Sequence, residues 1–86
     1  MDRPFRILAV CMGNICRSPA AEAALREAAD QAGTAVEVDS AGTHGRTGES
    51  PHPGIRRAGG EVGLTIEGRA RRVTVDDFLL FDLLLA

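Results

Sequence analysis

The stretch FRILAVCMGNICRSP at residues 5–19 decides the fold of this 86-residue chain. Residues 5–10 form a short apolar run bounded by Pro4 and by a Gly-Asn turn, a pattern that predicts a buried strand. Ser18 and Pro19 predict the start of a helix, with serine at the N-cap and proline at the first helical position. The stretch therefore predicts a strand that is joined to a helix by a tight loop.

The residues after this stretch complete a βαβ unit. Glu22 and Arg26 form a favourable i,i+4 pair on the helix face opposite the sheet, and Gly33 predicts where the helix ends. Residues 35–39 predict a second strand, which implies a parallel sheet with a right-handed crossover. The face expected to pack on the sheet consists of small apolar residues at helical spacing: Ala21, Ala24, Leu25, Ala28, Ala29 and Ala32.

The second half of the chain predicts a loop, two short helices and a third strand. Residues 40–53 are rich in Gly, Ser, Thr and Pro and predict a long loop at the carboxyl edge of the sheet, where such sheets bind ligands. Residues 54–60 predict a short helix, and a capping box at Thr74 predicts another. Residues 81–86 predict a buried third strand with no residues after it to cover its leucines, so we expect an α/β domain truncated at this point.

The composition argues against several classes of function. The net charge is -2, and the chain has three Phe but no Tyr or Trp, so it lacks the basic field and the stacking surface of a nucleic-acid-binding protein. The N-terminal apolar run is too short for a signal peptide or a membrane span. We therefore expect a cytoplasmic protein with no membrane partner. Cys11 and Cys16 are then free thiols, too few and wrongly spaced for a zinc site, and we expect neither metal nor cofactor.

The loop between the strand and the helix carries a Cys-x5-Arg spacing. Five intervening residues let backbone N–H groups curl around a tetrahedral anion, with Gly13 and Asn14 tolerating left-handed conformations. The helix N-terminus lowers the pKa of Cys11, Arg17 offers a two-pronged contact to phosphoryl oxygens, and Ser18 can bond to the sulfur. The predicted phosphate-binding residues are Met12, Gly13, Asn14, Ile15, Cys16 and Arg17. The predicted chemistry is phosphoryl transfer through a phosphocysteine intermediate.

Each piece of this pattern also has an ordinary structural interpretation. Taken alone, Cys11 could be a buried structural cysteine and Gly13-Asn14 a common turn. The two histidines, His44 and His52, are interpreted as solvated loop residues. The basic cluster of Arg69, Arg71 and Arg72 is interpreted as a solvated face.

Residues 11–19 match without a gap the signature Cys-x-Gly-Asn-x-Cys-Arg-Ser-Pro, so the chain resembles the low-molecular-weight protein tyrosine phosphatase family. The resemblance continues at residues 21–22, 38–43, 69–71, 77–78 and 81–82. It implies that residues 1–86 are the N-terminal part of that family's domain, a three-layer α/β sandwich with a parallel sheet. It also implies hydrolysis of phosphotyrosine in proteins, or of small aryl phosphates, with release of inorganic phosphate.

The resemblance also assigns roles to individual residues. Asn14 and Ser40 would form a hydrogen-bonded pair that braces the loop. Cys16 would be the redox partner that forms a reversible disulfide with the nucleophile and protects it from over-oxidation. The catalytic residues that it implies are Cys11 as nucleophile, Arg17 as phosphate ligand and Ser18 as the group that assists the thiolate.

The chain departs from the family pattern in two places. The family's general acid is an aspartate in a late Asp-Pro loop, and these 86 residues contain no Asp-Pro; Asp76, Asp77 and Asp82 match other positions. Gly68 stands where many members carry a supporting histidine. Three alternatives stay open. One is a thioredoxin-coupled arsenate reductase, which would need further cysteines and usually has Gln in place of Pro19. The others are an oxyanion-binding module without turnover and a fragment that does not fold stably.

Overall fold

The computed structural model describes residues 3–44 and 46–86. The elements in chain order are β1 (Phe5–Cys11), α1 (Arg17–Ala32), β2 (Val36–Gly42), α2 (Pro53–Glu61), α3 (Val75–Leu80) and β3 (Leu83–Leu85). The three strands form one parallel sheet in the order β2-β1-β3, with β1 in the centre. The predicted α/β fold with a parallel sheet is confirmed. Across the described residues, every helix is too short or too polar to cross a bilayer.

The core lies between the central strand and the elements packed on it. Leu8 of β1 is fully buried, and its neighbours in the core are small or medium side chains from β1, β2 and the segment between α2 and α3: Ala9, Val38, Ala41, Ile66 and Ala70. The side chain of Ile66 packs against α2 at Gly59, where a Cβ would lie 2.5 Å from Ile66 Cδ1. A residue that weakens a helix is therefore needed for packing.

Helix α1 begins two residues earlier than the serine signal predicted. Cys16 is the N-cap residue, and Ser18 lies inside the first turn, so the prediction of Ser18 as N-cap was wrong. Its hydroxyl instead turns toward the loop that precedes the helix. Gly33 ends the helix in a left-handed conformation with φ of 68°, as predicted. The prediction that the alanine face packs on the sheet was only partly right, because Ala24, Ala28 and Ala32 are exposed.

Strand β2 extends to Gly42, three residues beyond its predicted end at Asp39. The extension is stabilised on both sides. On one side, Gly42 pairs with Cys11 in the sheet. On the other, the N–H of Gly42 donates to Arg71 O at 2.8 Å and the N–H of Val73 donates to Gly42 O at 2.8 Å. The polar composition that predicted a loop from residue 40 is thus overridden by backbone hydrogen bonds to a distant segment.

Strand β3 is shorter and more exposed than predicted. It pairs with β1 alone, and Leu83 and Leu85 are about two-fifths exposed. The expectation of a buried strand over residues 81–86 was therefore wrong, since one strand edge and part of each face have no neighbour among the described residues. The capping box at Thr74 is present as predicted, with Asp77 as its second member.

Candidate active site

Residues 12–16, called loop 12–16 below, join β1 to α1 at the carboxyl edge of the sheet. Three backbone carbonyls in and beside this loop face outward and accept hydrogen bonds from the segment after β2. The pairs are Thr43 N to Cys11 O at 3.0 Å, His44 N to Met12 O at 2.8 Å and His52 N to Ile15 O at 2.7 Å. Because the carbonyls are held outside, the N–H groups between them face the inner side of the curve.

The inner N–H groups are not used by the main chain. Among residues 3–44 and 46–86, those of Met12, Gly13, Ile15 and Cys16 have no main-chain acceptor. Of the two residues that tolerate a left-handed conformation, Asn14 adopts it, with φ of 56°, and Gly13 does not. Gly13 lies beneath the side chain of Arg46, whose Cγ would be 3.2 Å from a Cβ at that position. The loop thus presents several N–H donors of the kind that hold an anion.

Close packing from β2 limits the shape of the loop. A Cβ on Gly42 would lie 2.8 Å from Met12 O and 3.1 Å from Asn14 Cβ. Real Cβ atoms essentially never approach a backbone oxygen so closely, so this position requires glycine. Gly42 was not singled out from the sequence, although it lies in the stretch that resembles the family.

The sulfur of Cys11 lies at the end of β1, facing the first turn of α1. Its Sγ is 3.0 Å from Ser18 Oγ, and the N–H of Asn14 donates to it at 3.2 Å. Partial burial raises the pKa of this thiol, but the Ser18 hydroxyl and the N–H groups of Ser18, Asn14 and Gly13 together outweigh burial and lower the pKa from its ordinary value. At a given pH, a larger fraction of Cys11 is therefore ionised than in an ordinary cysteine.

Arg17 and Cys11 border the same cavity, of about 320 Å³. Its other lining residues come from β1, α1 and the C-terminal segment: Ala9, Val10, Ser18, Ala21, Leu85 and Ala86. Arg17 is exposed, and within the described part of the chain its guanidinium forms no ion pair. The structure thus brings the predicted nucleophile and the predicted phosphate ligand to one cavity.

Asn14 is the centre of the hydrogen bonds behind the loop. Its side chain is 3% exposed, and its Nδ2 donates to Ser18 Oγ and to Ser40 Oγ, each at 2.9 Å. Its Oδ1 accepts from the backbone N–H of Arg71 at 2.9 Å. The hydrogen bond between Asn14 and Ser40 that the resemblance implies is present. The bonds to Ser18 and Arg71 add support that the sequence did not indicate.

Glu22 and Arg26 extend this set of hydrogen bonds along α1. Ser40 Oγ donates to Glu22 Oε1 at 2.6 Å, and Arg26 Nη2 lies 2.7 Å from Glu22 Oε2. The predicted pair of Glu22 with Arg26 is therefore present. However, the Glu22 side chain is only 13% exposed and faces β2, whereas the sequence placed it on the face opposite the sheet.

Arg71 does not belong to a solvated basic face, contrary to the interpretation of its cluster. Its guanidinium lies 3.1 Å from Asp39 and 3.0 Å from Asp77. The hydrogen bond from Arg71 holds the pKa of the Asp77 carboxyl below its usual range, and the N–H of Thr74 adds to that effect. Asp77 is 4% exposed. These contacts fix the segment whose backbone N–H holds Asn14. Arg69 and Arg72 are exposed, as predicted.

The remaining residues singled out from the sequence lie around the loop. Cys16 is an exposed free thiol at the N-cap of α1, and the Met12 side chain is 65% exposed. His44 and His52 are both exposed; His52 Nδ1 accepts from Gly54 N at 3.0 Å and so caps α2. Within the described part of the chain, no three His, Cys, Asp or Glu side chains come together as potential metal ligands.

Comparison with known proteins identifies the class to which this fold and loop belong. The sequence profile of the family described as low molecular weight phosphotyrosine protein phosphatase matches residues 6–86. The chain belongs to that family. Among its relatives, the Synechocystis protein slr0328 is 44% identical over 85 residues, which is 95% of this chain and 54% of the relative.

Solved structures of the family superimpose closely on the chain. YfkJ from Bacillus subtilis, a low molecular weight protein-tyrosine-phosphatase, has a TM-score of 0.92 at 38% identity over 96% of this chain and 55% of its own. A protein tyrosine phosphatase from Entamoeba histolytica, with HEPES in its active site, has a TM-score of 0.91 at 35% identity over 93% of this chain and 53% of its own. The chain thus spans about half the length of these relatives.

Proposed function

We propose that this chain provides the nucleophile and the phosphate-binding loop of a protein tyrosine phosphatase, acting on phosphotyrosine in proteins or on small aryl phosphates. The observation that carries the proposal is the position of the Cys11 sulfur, 3.0 Å from Ser18 Oγ and within reach of the Asn14 N–H. Arg17 lines the same cavity as Cys11. HEPES occupies the active site of the Entamoeba relative.

In the first step the Cys11 thiolate attacks the phosphorus of the monoester. A sulfur–phosphorus bond forms, the phosphorus–oxygen bond to the aryl group breaks, and the electron pair leaves with the aryl oxygen. The N–H groups of loop 12–16 and the Arg17 guanidinium hold the equatorial oxygens, where charge is concentrated in the transition state. Catalysis here rests on donors that are already in position before the substrate binds.

In the second step water attacks the phosphocysteine. An oxygen–phosphorus bond forms, the sulfur–phosphorus bond breaks, and Cys11 leaves as a thiolate while the water proton passes to solvent and inorganic phosphate is released. The Ser18 hydroxyl stabilises the departing thiolate in the same way as it stabilises the attacking one.

A tyrosine leaving group needs a proton, and none of the described aspartate or glutamate side chains lines the cavity of Cys11 and Arg17. Asp77 is engaged by Arg71 and Asp82 by Arg3. General acid catalysis contributes roughly 10²–10⁴-fold. We therefore expect residues 1–86 to hydrolyse p-nitrophenyl phosphate, whose leaving group departs as an anion, much faster than phosphotyrosine.

The test is a time course of p-nitrophenyl phosphate hydrolysis by the chain and by Cys11→Ser. Turnover that Cys11→Ser abolishes supports the proposal. A folded chain that binds vanadate in calorimetry but releases no p-nitrophenol would instead be an oxyanion-binding module. A folded chain that does neither contradicts both proposals, and arsenate-dependent oxidation of thioredoxin would favour the reductase.

We also propose that Cys16 protects the nucleophile. Peroxide converts the Cys11 thiolate to a sulfenic acid and is itself reduced to water; the Cys16 thiol then displaces a second water, which closes a disulfide. Both thiols are free in the structure, and Cys16 is exposed at the N-cap of α1. Peroxide inactivation should be reversed by dithiothreitol in the native chain. In Cys16→Ser the recovered fraction should be much smaller, and equal recovery would contradict the role.

A further inference from the structure

The side chain of Arg46 lies against the loop that is proposed to bind phosphate. A Cβ on Gly13 would be 3.2 Å from Arg46 Cγ and 3.9 Å from Arg46 Cδ, and the guanidinium group follows directly on Cδ. Because Gly13 has no side chain, the aliphatic part of Arg46 packs on the loop backbone and its charged end lies at the edge of the loop. Arg46 does not line the cavity of Cys11 and Arg17, so its charge lies beside the phosphoryl site rather than in it.

Backbone hydrogen bonds fix the position of Arg46. Its N–H donates to His44 O at 3.0 Å, and its carbonyl accepts from Glu49 N at 3.0 Å, which closes a turn. The turn is joined to the segment after α2 by two further bonds, Gly48 N to Ala70 O and Ala70 N to Glu49 O, each at 2.8 Å. The charge of Arg46 is thus carried by a turn that has its own anchors.

The Arg46 guanidinium already contacts one carboxylate, but weakly. Its Nη1 lies 3.5 Å from Glu49 Oε1, and the two side chains are 56% and 50% exposed. An ion pair so open to water contributes little to stability, because solvent screens it. A carboxylate on a bound ligand can therefore replace Glu49 at small cost.

The three aromatic side chains of the sequence lie away from this loop. Phe5 begins β1, whereas the loop follows the end of β1 at Cys11. Phe78 belongs to α3 and Phe81 is its C-cap, and both precede the amino end of β3, which runs parallel to β1. Within residues 3–44 and 46–86, recognition beside the phosphoryl group therefore depends on charge rather than on stacking with an aromatic ring.

We propose that Arg46 makes this site selective for phosphotyrosine that has an acidic residue next to it in the peptide sequence. The proposal rests on the proposed function. While loop 12–16 and Arg17 hold the phosphoryl group, the neighbouring residue of the peptide passes over Gly13, where Arg46 donates charge-assisted hydrogen bonds to its carboxylate. Binding of such a substrate exchanges the contact between Arg46 and Glu49 for an intermolecular one.

The test measures the binding of two labelled phosphotyrosine peptides by fluorescence anisotropy. The protein is the Cys11→Ser chain, which holds the substrate without hydrolysing it. One peptide has Glu on each side of the phosphotyrosine and the other has Gln at both positions, so the two differ in charge and little in shape. We expect the Kd of the Gln peptide to be about three- to tenfold higher than that of the Glu peptide. When Arg46→Gln is added, this ratio should fall to about one.

Arg6→Gln is the matched control for the loss of one positive charge. Arg6 lies near the start of β1, at the opposite edge of the sheet, and pairs at 2.9 Å with the exposed carboxylate of Glu37. The ratio of the two Kd values should therefore keep its native value. Arg46→Glu is a second variant at the proposed site, and in it the Gln peptide should bind more tightly than the Glu peptide. Each ratio compares two peptides on one variant, so a partial loss of folded protein does not alter it.

The outcomes separate recognition of an acidic neighbour from other roles of Arg46. A ratio near one in the chain that keeps Arg46, or a ratio that Arg46→Gln leaves unaltered, would overturn the inference. An arginine that only covers the tyrosine ring would give the first of these results, because it would bind both peptides equally. Failure of both peptides to bind would overturn the inference as well.

The proposed function has a separate measurement. p-Nitrophenyl phosphate carries no carboxylate, so its hydrolysis does not depend on recognition of an acidic neighbour. If Cys11-dependent hydrolysis is observed while the two peptides bind equally, the inference about Arg46 fails and the proposed function stands. If hydrolysis is absent and the Kd ratio still depends on Arg46, the site binds acidic phosphopeptides without turnover.

Discussion

The backbone N–H of Arg71 donates a 2.9 Å hydrogen bond to Oδ1 of Asn14, and the two residues are 57 positions apart in the chain. This bond fixes the orientation of the Asn14 amide and with it the two donors that face Ser18 and Ser40. The Arg71 backbone is held in turn by its own side chain, which Asp39 and Asp77 engage. The shape of loop 12–16 thus depends on an ion cluster outside the loop.

Asp77→Asn should therefore lower both stability and activity. The substitution weakens two charge-assisted contacts with Arg71, and the free energy of unfolding should fall by about 1.5–3 kcal/mol. We expect kcat/KM for p-nitrophenyl phosphate to fall as well, because the support of Asn14 loosens. Urea denaturation and initial rates measure the two effects. Asp76→Asn is the control at the exposed neighbouring position, and equal losses in both variants would contradict the role of Asp77.

Stability should also depend on pH through Asp77. The hydrogen bond from Arg71 lowers the pKa of this carboxyl in the folded state, so the unfolded chain takes up the proton first as pH falls. The stabilisation is therefore present above the unfolded pKa and is lost as pH falls from about 5 through the folded pKa. Unfolding free energies measured between neutral and acid pH should decline less in Asp77→Asn than in the native chain. Parallel declines would mean that other groups govern acid unfolding.

Gly42→Ala should damage the loop from outside it. The added Cβ would lie 2.8 Å from Met12 O, so loop 12–16 must shift, and overpacking of this kind costs about 1–3 kcal/mol. We expect the free energy of unfolding to fall. We also expect kcat to fall by a larger factor than that by which KM changes. Gly60→Ala is the matched control, since it lies in helix α2 and a Cβ there would meet no neighbouring atom within 4 Å. Alanine there should be neutral or stabilising by up to about 1 kcal/mol.

Arg17→Lys should test the two-pronged contact to phosphate. Lysine keeps the positive charge but loses the planar fork, and one lost charge-assisted hydrogen bond costs about 1.5–3 kcal/mol. The Kd for vanadate should therefore rise by about tenfold or more in calorimetry. Arg57→Lys, an exposed change on α2, should leave the Kd unchanged. A native Kd in Arg17→Lys would show that Arg17 contributes only its charge.

Much of the fold and of the site could be read from local sequence signals. The apolar run of β1, the helical spacing of α1 with Gly33 at its end and the capping box of α3 were correctly predicted because each depends on residues within a few positions of one another. The Cys11 to Arg17 spacing indicated a tight loop between β1 and α1, and its role in binding an anion stays a prediction.

Only the tertiary structure decided what supports that loop. The length of β2 and the exposure of β3 depend on segments that are far apart in the chain. The same is true of the need for glycine at position 42. It is also true of the hydrogen bonds that join Arg71 to Asn14 and Ser40 to Glu22. Such contacts leave no local pattern, because the partner of a buried donor or charge is set by which segments the fold brings together. The sequence by itself thus determined the class of fold and indicated Cys11 as the proposed nucleophile, whereas long-range hydrogen bonding decided how Cys11 and loop 12–16 are held.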